Sequence, residues 1–364
     1  MQYTAIVFIT ELAAIILMVS VHGNSFLPIA RRHSFLLLLA ILMVTNAAEW
    51  LAACLDGAPA GLRTLHIFAK FMELTLTTAI PMVGVLAIGE HQRVKWLAIP
   101  AGVNFILQLL SLHFGFVFAV DAQNVYHRGP LYAVYVLAFV CGILLAFSGF
   151  FRFSRRYQFH NGTVLSLILV LIAFGIVSQL VDHSLRLDWV CVSLSAMLFY
   201  IYYSDLLQQT DSLTALLNRR SFESGMENLR RPAVILFFDV DPFKEVNDCY
   251  GHHYGDTCLA AMASAIRTAY GRYGRCYRFG GDEFCVMLER ETQRLDKLNA
   301  NFTRRMDVLH VCDPHMPQVS MGYAEFDPAR DSVEDALKRA DMQMYGSKHA
   351  HHESEKPVQA AGVQ

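Results

Sequence analysis

Three acidic side chains stand beside apolar runs in the second half of the chain. Asp239 directly follows the run Ala233–Phe238, and Asp282 and Glu283 follow a Gly-Gly pair between two further short apolar runs. Acids at a strand end and at the tip of a hairpin can share one cleft, because glycine permits the positive φ of a tight turn. Such oxygen ligands suit Mg²⁺, and two ions about 4 Å apart stabilise the attacking and leaving oxygens of phosphoryl or nucleotidyl transfer. An isolated turn with two acids is usually only a solvated turn, so the sequence around it must show whether these acids form a site.

A sheet is needed to bring these acids together, and the surrounding sequence predicts one. Residue patterns predict four strands and two helices in alternation. The strands are Ala233–Phe238, Cys276–Phe279, Phe284–Leu288 and Gln318–Ala324, and the helices are Asp256–Tyr270 and Val333–His349. This alternation indicates an α/β or α+β sandwich.

Composition divides the chain into two parts. Hydrophobic residues make up 54% and charged residues 17% of the 364 positions, whereas a soluble globular protein carries about 25% charged residues. The shortfall lies before about residue 205, which predicts a membrane part followed by a water-soluble part. The net charge of −2 gives no basic surface for nucleic acid, and the eight cysteines form no CxxC pair that would indicate zinc.

Seven apolar stretches of roughly 20 residues match the hydrocarbon thickness of a bilayer and predict a seven-helix membrane domain. They are Thr4–Val21, Phe35–Leu55, Leu65–Gly89, Trp96–Val120, Leu131–Phe151, Val164–Val181 and Trp189–Tyr203. Lys and Arg are concentrated in the first, third and fifth connecting loops, which marks the cytoplasmic side. We therefore expect the N-terminus outside and the C-terminal domain in the cytoplasm.

Polar residues interrupt the predicted spans, and most fall in the outer half of the bilayer. They are Asn46, Glu49, Lys70, Glu73, Asn104, Gln108, His113, Gln179 and Asp182. One interpretation is a pocket for an unknown external ligand, because charges in a membrane need a partner or water. The other is packing, through a Lys70–Glu73 pair and hydrogen bonds between helices. The sequence does not decide between them.

Four segments follow from these patterns. We expect a transmembrane sensor domain at residues 1–203, a helical linker at 204–212, a catalytic domain at 213–352 and a disordered tail at 353–364. The linker contains neither Pro nor Gly, so it is suited to a short helix between the two domains.

Five motifs, in order and at matching spacing, make the region from Asp211 to His352 resemble the GGDEF-domain diguanylate cyclases. They are DSLTALLNRR at Asp211–Arg220, DVDPFKEVNDCYGHHYGD at Asp239–Asp256, RFGGDEF at Arg278–Phe284, SMGYA at Ser320–Ala324 and ADMQMYGSK at Ala340–Lys348. The resemblance implies a central, mostly antiparallel sheet flanked by helices. The membrane part is similar, more weakly, to seven-helix sensor regions of bacterial signalling proteins, which implies a bacterial inner-membrane protein.

The resemblance also assigns roles to individual residues. Asp239, Asp282 and the Val240 carbonyl would bind two Mg²⁺ ions, or Mn²⁺ in their place. Either Asp282 or Glu283 would help to deprotonate the ribose 3′-hydroxyl. The substrate-binding residues would be Phe243, Lys244 and Lys348 at the triphosphate, Asn247 and Asp256 at the guanine edge, and His252 in the same pocket.

The implied reaction joins two GTP molecules into cyclic di-GMP and releases two pyrophosphates. Each subunit would hold one GTP, so catalysis would require a homodimer. A receptor that binds GTP or a protein partner without turnover is the alternative, although the hairpin acids that degenerate domains usually lose are all present. A transporter with a regulatory tail would leave the five motifs unexplained.

Two departures from the family pattern concern regulation and phosphate binding. His352 stands where the family commonly has an Arg. Gly271 and Gly274 occupy the positions of the family's RxxD product-inhibition motif, so we expect no feedback inhibition through that site.

Overall fold

The computed structural model of the chain describes residues 2–156, 162–181, 186–289 and 292–354. The chain forms two compact units, one ending at Leu206 and the other beginning at Leu207.

The N-terminal unit consists of helices and one small hairpin. The helices are α1 (Gln2–Gly23), α2 (Ile29–Leu55), α3 (Arg63–Thr77), α4 (Ile80–Ile88), α5 (His91–Phe114), α6 (Tyr132–Arg156), α7 (Gly162–Val181) and α8 (Asp188–Gln209). Strands β1 (Phe118–Val120) and β2 (Tyr126–Arg128) pair antiparallel between α5 and α6. The last helix, α8, ends within the predicted linker.

Six helical segments of the described chain are long and apolar enough to cross a membrane, with α3 and α4 counted as one segment. The stretch that we predicted as the sixth span is a shorter apolar helix over the residues searched, Gly162–Ser178. Six spans therefore meet the length and hydropathy expected of a membrane helix, and the count of seven stays a prediction.

The predicted third span, Leu65–Gly89, is not one continuous helix. It is broken into α3 and α4 between Thr77 and Ile80, with Pro81 in the first turn of α4. Proline lacks a backbone N–H and is tolerated in a first turn but not in a helix interior. The Asn104 side chain from α5 donates to the Leu74 carbonyl and to Thr78 Oγ1 beside the break. Hydropathy alone does not reveal such a break because both halves are apolar.

The polar residues in these helices largely bond to one another. Lys70 Nζ lies 2.7 Å from Glu73 Oε2, one turn away on α3. Three hydrogen bonds link other polar side chains: Gln108 to Asn104, Asn46 to Glu11, and Tyr3 to Glu49. These are the contacts that the packing interpretation predicts, and the external ligand stays a prediction. The Gln179 side chain and all of Asp182 lie outside the described residues.

The C-terminal unit contains a four-stranded antiparallel sheet in the order β4-β5-β3-β6. The strands are β3 (Ala233–Asp241), β4 (Gly274–Arg278), β5 (Glu283–Leu288) and β6 (Gln318–Phe326). The helices are α9 (Arg219–Glu227), α10 (Phe243–Tyr250), α11 (His252–Tyr270), α12 (Leu295–Cys312) and α13 (Val333–Ser354). The predicted antiparallel sheet flanked by helices is confirmed.

Strand β3 is buried on both faces, which explains its continuous apolar sequence. Its side chains alternate between two cores, because successive residues of a strand point to opposite faces. Leu236 and Phe238 pack with residues of α11 and α12, whereas Ile235 and Phe237 pack with residues of α9 and α13. The central strand is thereby fixed between two helical layers, and its polar end emerges at Asp239.

Helix α13 lies very close to strand β6. A Cβ atom at Gly322 would lie 2.3 Å from the Ala340 carbonyl oxygen and 2.4 Å from the Met344 nitrogen, so a side chain there would displace the helix backbone. The first two residues of the predicted disordered tail belong to α13, and residues 355–364 lie outside the described residues.

Candidate active site

The sheet register brings the predicted catalytic acids together. Asp239 on β3 and Glu283 on β5 are direct partners in the antiparallel ladder, and Asp282 precedes Glu283 in the turn. Side chains at directly opposed positions have Cβ atoms about 4.5–5.5 Å apart. Two negative charges are therefore held against each other at the end of the sheet, with a third beside them.

The pKa of Glu283 reflects this arrangement. Burial raises the pKa of its carboxyl above the ordinary value, and the negative charges of Asp239, Asp282 and Asp341 raise it further. Arg219 opposes the shift. A cation in this cleft would relieve the repulsion, so the cluster is electrostatically prepared to bind positive charge.

The donor set also suits a hard divalent cation. In the parts of the chain that the structure describes, no three His, Cys, Asp or Glu side chains are arranged as a complete metal site. Magnesium does not require one, because it is usually held by one or two carboxylates together with substrate phosphates. Asp239 and Asp282 supply carboxylates, and the Val240 side chain is buried in the core, so only its backbone could join them. The residues fit Mg²⁺ with a phosphorylated substrate.

Arg278 braces the turn that carries Asp282. Its guanidinium donates to the Gly281 carbonyl oxygen at 2.7 Å and contacts the Asp211 carboxylate at 3.1 Å. Burial alone would raise the pKa of Asp211, but hydrogen bonds from Thr214 and the charge of Arg278 outweigh it and lower that pKa. The start of the unit and the hairpin tip are thus tied through one arginine.

Asp241 lies two residues beyond Asp239 and is buried. Ser320 on β6 donates a hydrogen bond to its Oδ2 atom. The pairing of β3 with β5 stops at Asp239, whereas its pairing with β6 continues to Asp241. The end of β3 is therefore held from the β6 side, while its β5 side faces the hairpin turn.

Five of the six predicted substrate residues lie on two consecutive helices just beyond β3. Phe243 and Lys244 begin α10, whose N-terminal N–H groups are suited to phosphate oxygens. Lys244, His252 and Asp256 are exposed, whereas Phe243 and Asn247 are partly buried. The structure leaves the three exposed side chains accessible to a ligand.

Phe243 and Asn247 meet over the backbone of Gly255 on α11. A Cβ atom at Gly255 would lie 2.1 Å from Asn247 Oδ1 and 3.2 Å from the Phe243 ring. A side chain at position 255 would therefore push Asn247 out of place. Gly251, with φ of 83°, forms the tight junction between the two helices. Asp256 directly follows Gly255, so these glycines hold the Asn247 amide against the backbone beside Asp256.

Lys348 lies on α13, and its side chain is outside the described residues. The same holds for His352. The predicted contact of Lys348 with phosphate and the effect of His352 in place of an Arg stay predictions. Helix α13 does bring Asp341 close enough to raise the pKa of Glu283.

Sequence reasoning missed the positioning residues of this site. Asp211, Arg278 and Ser320 stand at the start of recognised motifs but carried no assigned role, and Asp341 was not considered. Two of their contacts join residues 67 and 79 positions apart, which only the folded structure reveals. The signal available in the sequence was their position as the first residue of DSLTALLNRR, RFGGDEF and SMGYA.

The segment Gly271–Gly274, where the family carries its product-inhibition motif, has no room for a side chain at Gly274. A Cβ atom at Gly274 would lie 2.4 Å from the Met287 carbonyl oxygen and 2.9 Å from Leu288 Cα. Both neighbours are backbone atoms of the paired strand β5, which cannot easily move. This is consistent with the expected absence of feedback inhibition through an RxxD motif, which stays a prediction.

Comparison with known proteins identifies the domain that carries this site. Residues 208–354 match the family described as diguanylate cyclase, GGDEF domain. The chain is 36% identical over 151 residues to diguanylate cyclase DgcN of Escherichia coli strain K12, covering 38% of this chain and 36% of DgcN. It is 35% identical over 147 residues to diguanylate cyclase DgcM of the same strain, covering 38% of this chain and 35% of DgcM.

The matched region spans little more than a third of the length of these curated relatives. Among solved structures, the GGDEF domain of DgcB from Caulobacter crescentus in complex with c-di-GMP aligns at 27% identity with a TM-score of 0.34. That alignment covers 39% of this chain and 91% of the DgcB chain. The family match, the order of the motifs and the antiparallel sheet agree, and residues 208–354 of this chain are therefore a GGDEF domain.

Proposed function

We propose that this protein is a diguanylate cyclase that condenses two GTP molecules into cyclic di-GMP and two pyrophosphates. The observation that carries the proposal is the opposition of Asp239 and Glu283 across β3 and β5, beside Asp282 in the connecting turn. This cluster of acids, in which burial and then the neighbouring negative charges raise the pKa of Glu283, suits two divalent cations and a triphosphate. The names of the curated relatives support the same activity.

Asp239, Asp282 and the Val240 carbonyl would hold Mg²⁺, or Mn²⁺ in its place. When bound, the metal neutralises phosphate charge and lowers the pKa of the attacking hydroxyl. Arg278 keeps the Asp282 turn in position through the Gly281 carbonyl. The N–H groups at the start of α10, with the Phe243 and Lys244 side chains, would bind the triphosphate, and Lys348 would add a cation from α13.

Asn247 and Asp256 would hydrogen-bond the guanine edge, with His252 in the same pocket. The packing of Asn247 against Gly255 supports this role, because it fixes the amide before the base arrives. A site built to pair with guanine would reject adenine, since its polar groups would then be left unpaired.

The reaction needs two copies of the chain. The 3′-oxygen of one GTP attacks the α-phosphorus of the other, a P–O bond forms, and the bond to pyrophosphate breaks. The 3′-hydroxyl proton passes to Asp282 or Glu283. A second, equivalent event closes the ring, so two half-sites related by a two-fold axis would face each other in a homodimer.

We further propose that the N-terminal unit is a transmembrane sensor domain, residues 1–203, in a bacterial inner membrane. Helix α7 would be the seventh span, which puts the N-terminus outside and the catalytic domain, residues 213–352, in the cytoplasm. The six helices of sufficient length and hydropathy support this arrangement. Residues 204–212 would link the two domains, and an external ligand would act through them.

Incubation of the purified full-length protein with Mg²⁺ and GTP tests the enzymatic proposal. We expect cyclic di-GMP and pyrophosphate in a 1:2 ratio by chromatography, and no product from the Asp282→Ala variant. Asp307→Ala is the matched control, because Asp307 is an exposed acid on α12 away from the acid cluster.

Two outcomes would contradict the proposal in different ways. No product from the wild type, together with tight GTP binding, would indicate a receptor that does not turn over. Equal product from wild type and Asp282→Ala would refute the metal and base assignments while leaving the activity itself intact.

A further inference from the structure

A groove of about 100 Å³ lies in the N-terminal unit, between helix α1 and helices α2 and α8. Its wall is mostly apolar and includes Leu17, Leu42 and Met197. One charged side chain lines it among the described residues, the carboxyl group of Glu11 on α1, and Asn46 on α2 also belongs to the wall. The groove therefore combines a hydrocarbon surface with a single acidic group.

Glu11 stands at a position in α1 where an acid is costly. Nine residues of this 22-residue helix precede Glu11 and twelve follow it, and the helix is long and apolar enough to cross a membrane. At a rise of 1.5 Å per residue, the acid lies about 14 Å from one end of the helix and about 18 Å from the other. With α1 across a bilayer, Glu11 is near the midplane, where phospholipid headgroups do not reach.

The contacts of Glu11 leave part of its carboxyl group for a ligand. Asn46 Nδ2 donates to Glu11 Oε1 at 2.7 Å, and this is the only hydrogen bond to that group within the described part of the chain. Asn46 is buried, whereas Glu11 is partly exposed. An amide carries no charge, so it does not neutralise a carboxylate. An acid at this depth therefore needs a cation or a proton.

The charge and the apolar wall together select the occupant. A lipid acyl chain would cover the wall but give the carboxylate no counter-charge. A protonated amine on a hydrocarbon body satisfies both, because hydrogen bonds between charged groups are roughly twice as strong as neutral ones. A cavity of about 150 Å³ holds benzene, so this smaller groove suits a body of about four or five carbon atoms.

We propose that this groove binds a small alkylammonium ion whose ammonium group hydrogen-bonds Glu11 beside Asn46. The amine enters hydrocarbon as the neutral base. The proton of the Glu11 carboxyl group then passes to the amine nitrogen, which leaves a carboxylate and an ammonium ion in contact. The groove lies within the N-terminal unit, and binding there does not depend on cyclase activity.

The test uses the purified full-length protein in nonionic detergent and two matched probes, 5-fluoropentan-1-amine and 5-fluoropentan-1-ol, followed by ¹⁹F NMR. The probes differ only in the amine or hydroxyl group. We expect saturable binding of the amine. Glu11→Gln should weaken it about tenfold, equivalent to about 1.4 kcal/mol, and leave the alcohol unchanged. Glu90→Gln is the matched control, because Glu90 precedes α5 and does not line the groove.

Filling variants test the location. Ala13 is an exposed residue of α1 that lines the groove, so Ala13→Phe should abolish saturable binding of the amine. Ser193→Phe is a second filling variant, from the α8 side. Ala5→Phe is the matched control, because Ala5 is an exposed alanine of α1 outside the groove. Thermal unfolding of each variant verifies that it is folded.

Four results would overturn the inference. Equal affinity for the two probes would mean that the groove takes only an apolar body, such as a lipid acyl chain. Unchanged amine binding in Glu11→Gln would remove the acid from recognition. Undiminished binding in both folded filling variants would place the probe elsewhere. No amine bound by the wild type, together with a cross-linked dimer that Ala13→Phe abolishes, would make a second copy of the chain the occupant.

Discussion

The two units of the chain treat their charged side chains in opposite ways. In the N-terminal unit the Lys70 ammonium and the Glu73 carboxylate neutralise each other across one helical turn. In the GGDEF domain Asp239 and Glu283 carry the same sign and are direct partners across two strands. Opposite charges paired inside one molecule neutralise each other, whereas like charges held opposite one another are usually destabilising. The acids of the GGDEF domain, which no opposite charge neutralises in this pairing, therefore keep the capacity to bind a cation from outside the chain. The Lys70–Glu73 pair does not.

The largest expected effect comes from removing one of the two like charges, that of Asp239. Asp239→Asn removes a proposed metal ligand, so the proposed synthesis of cyclic di-GMP should fall by about 10³-fold, equivalent to about 4 kcal/mol. Fold stability should stay the same or rise by about 0.2–1 kcal/mol, because one of two opposed negative charges is gone. Initial rates and urea unfolding of the same preparations measure both quantities.

Asp307→Asn serves as the control for that variant and should leave both quantities unchanged. A loss of stability in Asp239→Asn comparable to its loss of activity would contradict the view that the two acids are held together for binding.

A smaller effect, a loss of stability and not of activity, is expected when the ion pair in the N-terminal unit is broken. Lys70→Met leaves Glu73 without its cation, and breaking one side of a buried pair costs about 3–5 kcal/mol. Both side chains retain a little exposure, 14% and 12%, so we expect the lower end of that range. The unfolding midpoint in detergent should fall by roughly 6–12 °C.

The double variant Lys70→Met/Glu73→Leu sharpens this prediction. Removing both charges should recover most of the lost stability, because no unpaired charge remains. If the double variant were as unstable as the single one, the pair would have a role other than mutual neutralisation.

The smallest expected effect concerns pH. Burial and the neighbouring acids raise the pKa of Glu283, so the folded protein binds this proton more tightly than the unfolded chain does. Its contribution to stability is therefore complete below the ordinary glutamate pKa of about 4.5 and is lost as pH rises through the raised pKa. Metal-free unfolding measured across this window should show that loss, and Glu283→Gln should remove it. An unchanged pH profile in Glu283→Gln would show that other groups cause it.

The sequence was sufficient for the parts of the fold that depend on local pattern. The apolar run of β3, the glycine turn before Asp282 and the helices α11 and α13 follow from periodicity and turn chemistry. A shared cleft for Asp239 and the hairpin acids was expected, but the pairing of β3 with β5 was not predicted. The register of that pairing opposes Asp239 to Glu283.

What the sequence could not supply depends on long-range contact. The hydrogen bond from Ser320 to Asp241 and the contact of Arg278 with Asp211 connect residues distant in the chain. The break between α3 and α4 is hidden from hydropathy, since Pro81 lies in an otherwise apolar segment and the amide that bonds the broken end comes from α5. The role of Gly255 appears only when Asn247 is seen to lie against it.

Gly274 has a practical consequence for anyone who wishes to engineer this protein. Grafting an RxxD motif onto this domain would place an aspartate where strand β5 already lies within 2.4 Å. Such a redesign would have to widen the spacing of two paired strands, at the cost of the ladder that positions Glu283. An output limiter for the proposed cyclase is therefore better sought in the helices that precede the domain than in the domain itself.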